Sequence, residues 1–135
     1  MIKQIFLNLH VKDLYKAKDF YTKLGFTVNE SFTSDTAACM IISDNMYVML
    51  LTYDKFKEFT SKEISDATKT TEVLTALSVN SRDQVDTIAD AAINSGGTEA
   101  RPSQDHGFMY GRAFNDLDGH IWEVFWMDMA SMPKE

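Results

Sequence analysis

The chain has 135 residues, of which 44% are hydrophobic and 12% aromatic, enough for one compact unit with a real core. Its 20 acidic and 13 basic residues leave a net charge of -7, which argues against a nucleic-acid partner, since a phosphate backbone needs clustered Lys and Arg. No apolar run approaches the ~18 residues of a membrane span, and Asn8 and His10 interrupt the short N-terminal apolar stretch, so neither a membrane segment nor a secretory signal is expected.

The single cysteine, Cys39, can form no internal disulfide. It lies in the apolar run Ala37–Ile42 with no activating base nearby, which predicts a buried, inert thiol and a reducing, cytoplasmic location.

Residues 2–11 alternate. Ile5, Leu7, Leu9 and Val11 fall on one face and Phe6, Asn8 and His10 on the other, the period of a strand. Asp13 can cap a helix that carries Leu14, Ala17, Phe20, Tyr21 and Leu24 at helical spacing, and Gly25 ends it. Strands are expected near 26–32, 37–43 and 46–53. A polar connector follows over about 55–71, interrupted by Phe56, Phe59 and Ile64 and opening with a short helix from Asp54 to Phe59. It contains no Gly or Pro, so it is expected to pack on the surface, over a pocket or at a subunit contact.

The pattern then starts again. Val73–Val79 reads as a strand, and Ser81 can cap a helix carrying Val85, Ile88, Ala89, Ala92 and Ile93 before Gly96-Gly97. Strands are expected near 98–101, 108–115 and 120–127, and Ser131-Met132-Pro133-Lys134-Glu135 reads as a tail. The chain is therefore expected to be one α+β domain of two βαβββ modules, about 1–54 and about 72–130, forming a cupped, partly closed mixed sheet.

One segment carries a chemical signal. In Asp116-Leu117-Asp118-Gly119-His120-Ile121-Trp122-Glu123-Val124-Phe125-Trp126 a polar turn runs into an apolar strand that holds one carboxylate, Glu123. Burying such a charge without a partner is costly, so it marks either a site or a structural ion pair. The segment Ser43–Leu51 has the same design, with Leu50 in the matching place.

With Asn8-Leu9-His10-Val11-Lys12-Asp13-Leu14, Phe20–Phe26, Ala76–Val79, Gly96-Gly97 and Asp116–Gly119 followed by Glu123, the sequence resembles the vicinal oxygen chelate superfamily. That superfamily includes glyoxalase I, the fosfomycin- and bleomycin-resistance proteins and extradiol dioxygenases. Gln104–Arg112 resembles its predicted lactoylglutathione lyase subgroup. The resemblance implies a homodimer, a small-molecule ligand and, in the metalloenzymes, a divalent ion held from the first and last strands of each module. Here those positions map to Phe6, Leu50, Leu74 and Glu123, and only Glu123 can ligate a hard cation. No cofactor is therefore expected and a divalent metal is disfavoured; His10, His106 and Glu123 are the group that could rebuild a metal site.

The resulting expectation is a glyoxalase-like protein that binds a small, aromatic or cationic organic molecule in an apolar pocket. Asn8, His10, His106, Tyr110 and Arg112 are candidate ligand contacts. The alternative is a lyase, isomerase or dioxygenase with Glu123 as general base or residual metal ligand. Tyr110 and Arg112 share a strand face and can meet a ligand carbonyl or carboxylate, or Arg112 can pair with Asp116, Asp118 or Glu123 instead. Trp122, Val124 and Trp126 share one face of their strand and are expected to pack under a helix.

Overall fold

A computed structural model describes residues 1–131, so most of the expected tail, 132–135, lies outside the described residues. Contacts divide the chain into two units, Met1–Thr70 and a second that begins at Thr71.

In the first unit, β1 (Ile5–Val11) leads to α1 (Leu14–Lys23), then β2 (Thr27–Asn29), β3 (Ala37–Ser43), β4 (Met46–Thr52) and a short α2 (Tyr53–Lys57). The strands form an open mixed sheet in the order β1-β4-β3-β2, with β1 parallel to β4 and the other pairs antiparallel. The Asp13 side chain accepts a hydrogen bond from the Lys16 N–H and starts α1. Gly25, at φ +106°, lets the chain leave it. Ala17, Phe20 and Tyr21 are buried against the sheet, as are Leu9, Val11, Ala38, Met40, Val48 and Leu50 from the strands. Each large side chain in this set contributes about 1.5–3 kcal/mol through burial.

The second unit repeats the plan with β5 (Thr75–Ser78), α3 (Arg82–Asn94), β6 (Thr98–Asp105), β7 (Met109–Asn115) and β8 (Ile121–Met127), in the order β5-β8-β7-β6. Ser81 caps α3 by accepting from the Gln84 N–H. Val85, Ala89 and Ala92 of α3 are buried, as are Phe114, Trp122 and Val124 of β7 and β8. The expected helix-packing role of Trp122 and Val124 is thus present. The α+β architecture of two βαβββ modules is present as well, with two open sheets and no closed barrel.

Two elements differ from the sequence reading. The strand expected near 26–32 stops at Asn29, whose side chain accepts from the Ser31 N–H and starts a 3-10 turn, Glu30–Phe32. The strand expected near 98–101 continues to Asp105 through Pro102. Pro102 is tolerated because β6 is an edge strand and its register with β7 shifts between Glu99 and Arg101 and again between Arg101 and Gln104.

Candidate functional site

The helices α1 and α3 each cover one face of their sheet, so candidate chemistry lies on the other. Strand register gives its layout. In the first module Asn8, Met49, Cys39 and Asn29 stand in one row across β1-β4-β3-β2. In the second, Ala76, Glu123, Ala113 and Arg101 stand in the equivalent row across β5-β8-β7-β6. The residue matching Glu123 is therefore Met49. The expectation of Leu50 was one residue out. Leu50 is fully buried on the helix face, as is its true counterpart Val124, because successive strand side chains point to opposite faces.

On the open face of the first module, α2 lies against β1 and β4. The Thr52 side chain starts this helix by accepting from the Lys55 N–H. Its aromatic residues cover His10, whose ring meets those of Tyr53 and Phe56 edge-on, each at 5.2 Å between centroids. His10 is thus buried in an aromatic enclosure. Beside it lies a cavity of about 280 Å³, partly open to solvent and lined by Asn8, Leu51, Phe56, Phe59 and Thr60. Further along the sheet, Phe6 stacks on Tyr47 at 4.6 Å. The Tyr47 hydroxyl donates to the Asp44 carbonyl and is also met by Gln4 Nε2. Cys39 is buried, and burial raises its thiol pKa, which suits an inert residue.

In the second module Glu123 has a partner. Arg101 reaches across Ala113 and places Nη1 3.1 Å from Glu123 Oε1. Both side chains are partly exposed, at 32% and 22%. Arg112, the partner the sequence suggests for Glu123, is held by Asp86 and Asp90 instead.

Tyr110 and Arg112 do share a strand face, but it is the face under α3. The Tyr110 hydroxyl donates to Asp86 Oδ1 at 2.7 Å. Arg112 Nη1 donates to Asp86 at 3.1 Å and to Asp90 at 2.8 Å. The hydrogen bond to Asp86, assisted by burial, raises the Tyr110 pKa. The expected ligand role of these two residues is corrected to helix docking, and the expected Arg112 partners Asp116 and Asp118 give way to Asp86 and Asp90. These two acids lie four residues apart on α3 and so face the sheet together.

Asp105-His106-Gly107 is a clamped turn. Arg82 at the start of α3 forks onto both Asp105 oxygens at 2.9 Å and donates to the Gly107 carbonyl at 2.8 Å. Its guanidinium also lies over the rings of Tyr110 and Trp126, 5.2 and 5.1 Å from their centroids. The hydrogen bond from Arg82, helped by the Gly107 N–H, holds the Asp105 carboxyl down at about 2. Gly107 adopts φ +80°. His106 is exposed in this turn, its N–H bonded to the Met109 carbonyl and its ring tilted against Phe108. Asp116 closes the opposite turn, accepting from the N–H groups of Asp118 and His120.

A family model described as the Glyoxalase/Bleomycin resistance protein/Dioxygenase superfamily matches residues 3–124. The chain belongs to that superfamily. A solved structure of the hypothetical protein SA1046 from S. aureus is 30% identical to this superfamily member, with 93% of this chain and 95% of that chain covered and a TM-score of 0.79. A glyoxalase/bleomycin resistance protein/dioxygenase family enzyme from Burkholderia phytofirmans PsJN is 16% identical, covers 90% and 96% of the two chains and has a TM-score of 0.74. The fosfomycin resistance protein FosX from Mesorhizobium loti is 14% identical, covers 96% and 97%, and has a TM-score of 0.69. The last two likenesses concern the fold alone. No curated protein sequence matches the chain.

With the register corrected, the superfamily's four metal positions hold Phe6, Met49, Leu74 and Glu123. Phenylalanine and leucine have no donor atom, and a thioether is a poor ligand for a hard divalent ion. The one carboxylate already carries a guanidinium. Among the described residues no group of three or more His, Cys, Asp or Glu is arranged to hold a metal. The residues do not fit the ion. Among the described residues, no helix is long and apolar enough to cross a membrane.

The sequence reading picked out Asn8, which lines the cavity, and His10, which packs against its wall, but it missed Leu51, Phe56, Phe59, Thr60 and Arg101 as site residues. A signal for Phe56 and Phe59 was present: both break the polarity of the connector. Arg101 gave none, because its partner is chosen by two register shifts in β6.

Proposed function

We propose that this protein binds a small organic molecule in the first module's cavity and does so without the divalent metal of its superfamily's metalloenzymes. The observation that carries the reading is the cavity itself. Leu51, Phe56 and Phe59 form apolar walls, and Asn8 and Thr60 supply a few polar contacts, the usual composition of a small-molecule site. Its volume of about 280 Å³ lies near the lower end of such sites, roughly 300–1,000 Å³, and suits a compact ligand.

The lyase or dioxygenase alternative requires Glu123 to act as a base or a ligand. The Arg101 guanidinium 3.1 Å from that carboxylate favours the binding reading, since a base engaged in an ion pair must first give up its partner. A homodimer belongs to the same proposal, and light scattering should return twice the chain mass.

Metal analysis of freshly purified protein should find less than one-tenth equivalent of any divalent ion. Titration with Mn²⁺ or Ni²⁺ should leave the Glu123 and Arg101 side-chain NMR signals in place. A stoichiometric ion that shifts them would overturn the metal-free reading.

A further inference from the structure

We infer that the occupant of the first module's cavity is an uncharged, flat aromatic molecule with one polar edge, such as a phenol or a ring N–H compound. This inference rests on the binding reading above and specifies its ligand class. Size sets the first limit. A dry cavity of roughly 150 Å³ holds benzene, so about 280 Å³ accepts a substituted ring or a fused pair.

Charge sets the second limit. No lining residue among those described is charged, and the ammonium nearest the wall, that of Lys55, is already paired with Glu58, so an ionised ligand would lose its hydration and gain no free counter-charge. A cation could in principle use the aromatic faces. The Phe59 face, however, already carries Lys55, whose Nζ lies 5.6 Å from the ring centroid and also pairs with Glu58 at 3.3 Å. An incoming cation would meet a resident one.

The polar contacts set the third. Thr60 Oγ1 accepts from the Lys62 N–H at 3.1 Å, which leaves its own proton available to donate. Asn8 Nδ2 makes a long 3.4 Å contact to the Phe6 carbonyl, which leaves the amide oxygen able to accept. A hydroxyl both donates and accepts and so matches this pair, and a ring N–H matches the Asn8 oxygen alone. Phe56 and Phe59 add ring-to-ring contacts that favour an aromatic over an alicyclic skeleton of equal size by about 2- to 10-fold.

The test uses four compounds on one skeleton, titrated into the ¹⁵N-labelled full chain: 2-naphthol, decahydro-2-naphthol, 2-naphthoate and 2-naphthylmethylammonium. The Asn8 side-chain amide and the Thr60 N–H are the reporters. 2-Naphthol is expected to shift both saturably, to bind about 2- to 10-fold tighter than its alicyclic analogue, and to bind at least about 10-fold tighter than either ion. Phe59→Ala, a change at a side chain 69% exposed, should weaken 2-naphthol and leave the thermal midpoint in place. Asn8→Leu should weaken 2-naphthol, read at the Thr60 N–H. If the alicyclic or a charged compound shifts the reporters as tightly as 2-naphthol, the ligand class is wrong and the binding site stands. If none of the four shifts them, both the class and the site are overturned.

Discussion

The two modules share a strand order and a helix-facing core but carry different chemistry on the opposite face. The row Asn8, Met49, Cys39, Asn29 is uncharged, whereas its counterpart Ala76, Glu123, Ala113, Arg101 contains an ion pair. The helix faces differ in the reverse sense. Under α1 the contacts are apolar, and under α3 the apolar core is flanked by Arg82, Asp86, Asp90 and Arg112. The lesson is that topology needs only the buried stripe of each helix and the alternate strand positions facing it. Every other position is free to diverge, and in the first module that freedom produced a cavity lined by Phe56 and Phe59.

The common core can be broken in both modules alike. Phe20→Ala and Trp122→Ala each remove a large, fully buried ring and should each cost about 3–5 kcal/mol in urea unfolding. A cost below ~1 kcal/mol at either would show that the two helices are not equivalently packed.

The helix ends sharpen the comparison. Gly25 and Gly96 follow α1 and α3 with nearly the same φ, +106° and +105°. An added Cβ meets nothing within 4 Å at Gly25 but comes 2.9 Å from Leu117 Cδ2 at Gly96. Gly25→Ala should cost about 1 kcal/mol from backbone strain alone, and Gly96→Ala about 2 kcal/mol or more. Equal losses in thermal unfolding would mean that Leu117 yields freely.

The matching positions Met49 and Glu123 come next. Glu123→Gln should cost about 1 kcal/mol, and a double-mutant cycle with Arg101→Met should return a coupling of about 0.5–1 kcal/mol for this partly exposed pair. Met49→Leu should change stability by less than about 1.5 kcal/mol. No coupling between Arg101 and Glu123 would leave the carboxylate free for another role.

The smallest effect is electrostatic. NMR titration should give Asp105 a midpoint of about 2, and Arg82→Met should return it toward the ordinary carboxylate range. Because the folded value is depressed, the stabilisation is present above the unfolded value of about 3.9 and is lost as pH falls through the folded midpoint. No equivalent clamp is expected in the first module.

The fold was largely legible in the sequence because its signals are local. Asp13 and Ser81 as caps, Gly25 and Gly96 as exits, and the spacing of Phe20 or Val85 all act within one turn of helix. The candidate site was much less legible. Asn8 and His10 were assigned to the face away from α1 by alternation alone, and Asn8 lines the cavity on that face. Tyr110 and Arg112 were also placed together by alternation, but which sheet face they occupied depended on Asp86 and Asp90, more than twenty residues away. Leu50 was matched to Glu123 by counting from similar turns, and one residue of error moves a side chain through the sheet.

The sequence by itself therefore determined the two βαβββ modules, their helix ends, their buried stripes and the lack of donor atoms at Phe6 and Leu74. Those properties follow from residue identity and from periodicities of two and 3.6. Only the tertiary structure decided that Arg101 meets Glu123, that Arg112 meets α3, and that Phe56 and Phe59 fold back over β1 and β4. The first depends on the register shifts of β6 and the other two on how helices pack against the sheets, and such contacts between distant residues leave no periodic trace in the chain.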